Sequence, residues 1–70
     1  MTDRLANSLK PERERLNWTQ AALAERVGVS RKTINTVENG VFVPSTLLAL
    51  KLASALGRPV EQLFRIVSEP

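Results

Sequence analysis

Apolar residues recur along this chain at helical spacing, and each recurrence is bracketed by residues that start or stop a helix. Leu9 and Leu16 mark the first run, then Leu23, Ala24 and Val27, then Ile34 and Val37, then Leu48, Leu52, Ala53 and Leu56, and finally Val60 and Leu63. Together with Val29 these residues form the expected core, with Trp18 and Phe64 at its edges. Pro11 fits the first turn of a helix running from about Leu9 to Leu16 behind a Ser8 cap, where its missing N–H costs little. A helix begun at Thr2 would bury Pro11 in its interior at about 3 kcal/mol, so Met1–Asn7 stays outside as a tail or a short strand.

The other elements follow from the same punctuation. Thr19 caps a helix over Gln20–Arg26, and Ser30 caps another over Arg31–Asn39. Trp18 with Leu23, and Val29 with Ile34, have the spacing of a hydrophobic staple. Asn39-Gly40 closes the third helix, because glycine accepts the left-handed conformation that satisfies the last carbonyls. Pro44-Ser45 opens a fourth helix ending at Leu56 before Gly57, and a short fifth covers about Val60–Phe64. The β-prone remainder, FRIVSEP, has the character of a terminal strand. The pattern predicts an all-α fold: a compact bundle of five short helices with a helix-turn-helix at its centre.

On a helical wheel Ile34 and Val37 lie about 60° apart and define the inward face of the third helix. Lys32 and Asn39 point away from it, flanked by Asn35 and Thr36, with Arg31 at the edge. That outward face offers two cations and three short polar side chains, and no acid; Glu38 lies inward beside Ile34. Such residues suit the reading of DNA. Arg and Lys donate to guanine, Asn pairs with adenine, and the Thr methyl meets the thymine methyl. Both cations stand at the helix N-terminus, where the helix dipole does not favour them, so helix stability does not account for them. Two short helices joined across Val27-Gly28-Val29 form a helix-turn-helix arrangement, and the free amides at the start of Gln20–Arg26, with the Gln20 side chain, can grip a phosphate.

The segment QAALAERVGVSRKTINTVENG resembles the helix-turn-helix of the Cro and phage-repressor family, the XRE-like regulators. Gln20, Leu23, Ala24, Val27, Gly28, Val29, Ile34 and Val37 fill the family's pattern in turn, and the resemblance runs from about Asn7 to Phe64. It implies a lambda-repressor-like domain in which Gln20, Ser30, Arg31, Lys32, Asn35 and Thr36 face DNA, with Thr19 and Asn39 near phosphates. It also implies an ion pair between Arg13 and Glu38. One departure stands out: where relatives often place a basic or polar residue after Gly40, this chain reads Val41-Phe42-Val43, which implies a missing phosphate contact.

Composition narrows the rest. Seventy residues, read as a single domain over 1–70 with the helix-turn-helix proper at 20–39, bury only about 60% of the surface exposed when unfolded. With neither cysteine nor histidine, no disulfide reinforces that core and no zinc site is expected. Such small cores are often completed by association. Leu47 and Leu50 fall on the side of the fourth helix opposite its apolar stripe, and with Phe42 of the Val41-Phe42-Val43 loop and Ile66 of the tail they are read as a homodimer surface. Ten Lys and Arg against seven Asp and Glu give a net charge of +3 and a sequence pI near 10.2, which suits double-stranded DNA as a partner. The longest apolar runs fall far short of the ~18 residues that span a bilayer, and no signal peptide is apparent; no membrane, cofactor, metal or small-molecule ligand is expected, and the compartment is cytoplasmic. Glu12 and Glu14 share no helix face, nothing resembles a nucleophile–base pair, and no glycine-rich phosphate loop occurs, so the chain is read as a non-enzyme.

The expected role is a DNA-binding transcriptional regulator, a repressor acting as a homodimer. Two neighbouring roles keep the DNA contact, an antitoxin or a restriction–modification controller protein. A role of another class is a helical protein-interaction module binding a partner through the apolar surface.

Overall fold

The computed structural model describes residues 2–70, and Met1 lies outside them. Their element order is β1 (Thr2–Asn7), α1 (Leu9–Arg15), α2 (Gln20–Val27), α3 (Arg31–Glu38), α4 (Thr46–Leu56), α5 (Val60–Leu63) and β2 (Phe64–Glu69). The Thr19 and Ser30 caps form as expected, and Ser45 caps the fourth helix in the same way. Thr19 Oγ1 accepts the Ala22 N–H at 3.0 Å, Ser30 Oγ accepts that of Thr33 at 3.2 Å, and Ser45 Oγ accepts that of Leu48 at 3.1 Å. Ser8 holds the N-cap position of α1 as expected, but its side chain makes no capping bond. The Asn7 carbonyl oxygen of the side chain instead accepts the Leu9 N–H at 3.2 Å, one residue earlier in the chain.

Helix ends shift by a residue. Leu16 and Asn39 are closing caps rather than helical residues, Val27 extends α2, and Thr46 rather than the Pro44-Ser45 pair begins α4. Phe64, expected within the fifth helix, has φ −128° and ψ 139° and opens β2 opposite Asn7. The terminal strand therefore begins sooner than the helical pattern suggests, because pairing with β1 captures its first residue. Gly28 takes φ +74°, as the turn between α2 and α3 requires. A Cβ there would meet no heavy atom within 4 Å, so the demand is for conformation rather than space. Asn17, the one positive-φ residue other than glycine among the described residues, takes φ 58° and turns the chain between α1 and α2, a conformation that asparagine accepts more readily than most side chains.

The core gathers Leu9, Leu23, Ala24, Val27, Ile34, Val37, Leu48, Leu52, Ala53, Leu56 and Leu63. Each fully buried Leu, Ile or Val contributes about 1.5–3 kcal/mol, which is how a chain this short holds a fold. Leu16, Val29 and Val60, expected in the core, are only half buried and pack at its margin beside Trp18 and Phe64. Around this core an exposed network ties α1 to the end of α4. Glu12 accepts from Arg15 Nε at 2.8 Å and Arg58 Nε at 3.0 Å, while Arg15 donates to the Leu56 carbonyl at 2.9 Å. Those two arginines, Arg15 first, hold the Glu12 carboxyl below the usual carboxylate range.

β1 and β2 pair antiparallel from Thr2↔Glu69 to Asn7↔Phe64, and Ser8 N–H continues the ladder to the Leu63 carbonyl at 2.8 Å. Directly opposed residues share a face and the faces alternate along each strand. Leu5, Asn7, Phe64 and Ile66 therefore stand on one side of the sheet, and Arg4, Ala6, Arg65 and Val67 on the other. Asn7 fastens β1 to the end of α3 through its amide, which donates to the Val37 carbonyl at 2.9 Å. No helix among the described residues is long and apolar enough to cross a membrane.

Candidate nucleic-acid interface

The outward face of α3 is built from the inside out. Ile34 and Val37 are buried against the core, which fixes the rotation of the helix and leaves Arg31, Lys32 and Asn39 exposed, with Asn35 and Thr36 half exposed. No carboxylate among the described residues pairs with Arg31 or Lys32. Neither charge is therefore neutralised by an acid, although Arg31 leans on Gln20. Thr36 Oγ1 donates back to the Thr33 carbonyl at 3.0 Å, so its methyl group is what remains to meet a partner. Ser30 Oγ shares a 3.0 Å hydrogen bond with Thr33 Oγ1 in addition to its cap.

Behind this face lies a buried ion pair. Arg13 Nε donates to Glu38 Oε2 at 2.7 Å and Arg13 Nη2 to Glu38 Oε1 at 3.2 Å, with side chains only 10% and 3% exposed. Arg13 Nη1 also donates to the Trp18 carbonyl at 2.8 Å. The hydrogen bonding to Glu38 raises the Arg13 pKa above its ordinary value. Every fully buried side-chain polar atom among the described residues has a partner, as a low-dielectric interior demands.

Gln20 joins the ion pair to the outward face, a link the sequence did not reveal. Its Nε2 donates to Glu38 Oε1 at 3.1 Å. A carboxylate only accepts, so this bond fixes which end of the amide faces inward. The Gln20 oxygen is thereby turned outward, where it accepts from Arg31 Nη1 and from Asn35 Nδ2, each at 3.4 Å. Asn39 Nδ2 in turn donates to Asn35 Oδ1 at 3.2 Å. The three amides form one directed chain, Asn39 to Asn35 to Gln20, ending on the buried carboxylate. Arg13, Gln20, Arg31, Asn35, Glu38 and Asn39 thus act as one connected set. Thr19, occupied as a cap, stands at its margin, and Lys32 stays apart with no hydrogen bond in this network.

Other candidates separate. Trp18 has its ring covered by the Arg26 guanidinium, 4.0 Å from the centroid, which fits a residue at the core margin rather than a base-stacking platform. Phe42 and Leu47 border one apolar groove with Val27, Val29 and Leu48 between the helix-turn-helix and α4, whereas Leu50 and Ile66 lie outside it. Leu47, Leu50 and Ile66 are 64%, 53% and 74% exposed. At the far end of α3, Arg4 and Arg65 line a depression together with Asn39 and Gly40. Only the register of the two strands brings these arginines there, and no local sequence signal marks them.

Two short helices set around a glycine turn, with a cationic, amide-rich outward face on the second, define a helix-turn-helix DNA-binding module. Residues 9–63 match the Helix-turn-helix family, and the chain belongs to it, among the XRE-like transcriptional regulators. It is 40% identical over 65 residues to the HTH-type transcriptional regulator YgzD of Bacillus subtilis (strain 168), covering 93% of this chain and 98% of that protein. It is 47% identical over 57 residues to an HTH-type transcriptional regulator of Methanothermobacter thermautotrophicus, covering 80% and 83% of the two chains. Among solved structures it is similar to the restriction-modification controller protein C.AhdI from Aeromonas hydrophila. The TM-score is 0.75 at 34% identity, over 80% of this chain and 85% of that one.

Proposed function

We propose that this chain is a sequence-specific transcriptional repressor that binds double-stranded DNA as a homodimer. The observation that carries the reading is the outward face of α3: unpaired Arg31 and Lys32, with Asn35 held by Gln20 on a buried carboxylate. Arg31, Lys32 and Asn35 read base edges from the major groove, the Thr36 methyl meets a thymine methyl, and Thr19, Gln20, Ser30 and Asn39 contact the backbone. Two copies present two such helices to half-sites about 34–36 Å apart on a near-palindromic operator. In this reading repression follows from occupancy of the operator. The test is fluorescence anisotropy of the protein on a duplex from its own promoter against a random duplex, across a salt series. The expected result is tight binding to the promoter that falls steeply with salt. Equal, weak binding to every duplex would overturn the reading.

The homodimer rests on Leu47, Leu50 and Phe42, large apolar side chains exposed around one end of α4 and the preceding loop, with Ile66 extending the surface. A closed two-fold dimer buries the same patch on both copies. Leu50→Glu places a charge at that contact, and sedimentation is expected to show the mass halved, from dimer to monomer. An unchanged mass would remove Leu50 from the interface. The similarity to C.AhdI favours a second reading, a restriction–modification controller, which uses the same DNA contact. Adjacent methyltransferase and endonuclease genes would decide for it, and a toxin gene would decide for an antitoxin.

A further inference from the structure

We propose that the sheet face carrying Arg4 and Arg65 is a second DNA-contact surface, gripping the phosphate backbone beside the groove that α3 enters. The proposal rests on the DNA-binding reading above and extends it to residues outside the helix-turn-helix. The strand register sets Ala6 opposite Arg65 and Arg4 opposite Val67, so both guanidinium groups leave the sheet on one side. They line a single depression with Asn39 and Gly40, the residues that close α3. The proposal sets the backbone of a duplex docked along the outward face of α3 against this rim.

The charges there are available. Arg65 is exposed, its one side-chain bond is a 3.5 Å contact to Ser8 Oγ, and no carboxylate among the described residues pairs with it. Arg4 pairs with Glu69 at 2.6 Å, but the two side chains are 57% and 52% exposed. A solvated pair of this kind exchanges readily for a phosphate. Asp3 belongs to the opposite face of β1, so among the described residues Glu69 is the one acid on the sheet face of both arginines; Glu38 also lines the depression, but its carboxylate is buried against Arg13. The loop that follows Gly40 offers no cation: Val41, Phe42 and Val43 are exposed and apolar. Among the described residues, the cations that line the depression at this end of α3 are the two on the sheet. A planar guanidinium presents paired donors that match a phosphate.

The experiment measures binding of the full chain to the promoter duplex and to a random duplex over a salt series, for wild type, Arg65→Ala, Arg4→Ala/Arg65→Ala and Arg65→Lys. The expected result is weaker binding to both duplexes alike, with the slope of log K against log salt shallower by about 0.9 for each phosphate left without its arginine. Arg65→Lys keeps the wild-type slope, because a point charge still neutralises a phosphate. Thermal melting of each variant accompanies the titration, and Arg65→Ala, which leaves the Arg4–Glu69 pair intact, stands in if the double variant unfolds. A wild type that prefers its promoter, with folded variants of unchanged slope, overturns this surface and leaves the α3 reading in place. A weakening confined to the promoter duplex with unchanged slope also overturns it, since that is the mark of base reading. A wild type without any DNA binding removes both.

Discussion

Arg13→Ala is expected to destabilise the domain by about 3–5 kcal/mol, because it strands the Glu38 carboxylate in the interior. The pair is held by two hydrogen bonds of 2.7 and 3.2 Å, and its side chains are nearly inaccessible. Once Arg13 is gone, Gln20 alone remains to solvate that charge. A domain of this size has a total stability of roughly 4–10 kcal/mol at ~0.05–0.15 kcal/mol per residue. The variant should therefore lose between about a third and all of its stability. Equilibrium urea denaturation followed by circular dichroism measures the loss. Replacing both partners at once, as Arg13→Met/Glu38→Leu, removes the stranded charge and is expected to recover much of the stability. A loss under about 1 kcal/mol in the single variant, typical of a surface site, would show that water reaches the pair. The double variant should still lose DNA selectivity, since the Gln20 amide then has no anchor on Glu38.

Arg31→Ala/Lys32→Ala has the opposite signature, with stability kept and recognition abolished. Both side chains are exposed and unpaired with any acid, and the Ser30 cap that starts α3 is untouched. A good bidentate contact to a base is worth about 1–3 kcal/mol of discrimination. Removing two costs about 2–6 kcal/mol, or roughly thirty-fold and more in affinity for the specific site at about 1.4 kcal/mol per tenfold. Anisotropy on the promoter duplex should show that drop, while binding to random DNA falls much less. If specific and random binding fall together, the two cations serve the backbone alone, and base reading would pass to Asn35 and Thr36. If neither falls, α3 is not the helix that enters the groove.

Where sequence and structure agree, the governing physics is local. The Thr19 and Ser30 caps, the Gly28 turn and the inward face of Ile34 and Val37 each depend on neighbours within a turn or two. Glu38 could be placed inward from the wheel alone, and the resemblance named Arg13 as its partner. What escaped was set by packing between segments far apart in the chain. The Gln20 bond to Glu38 joins two helices through their packing, and the Leu9 N–H is met by the Asn7 side chain, at the end of β1, rather than by Ser8. Phe64 left its helix to pair with Asn7 of β1. Arg4 and Arg65 are brought to one face by a register between the two ends of the chain, which no periodicity within either strand encodes. The exposure of Leu47 and Leu50 was legible because burial on one side of α4 defines the other.

Trp18 is the chain's single tryptophan. Its carbonyl receives Arg13, and its ring lies beneath Arg26 at the joint between α1 and α2. The molecule thus holds one intrinsic fluorophore wired to the buried ion pair, with a cation against its indole and no second indole to blur the signal. Its emission colour and intensity report whether that joint is intact, so the state of the DNA-reading scaffold can be followed by light without attaching a label.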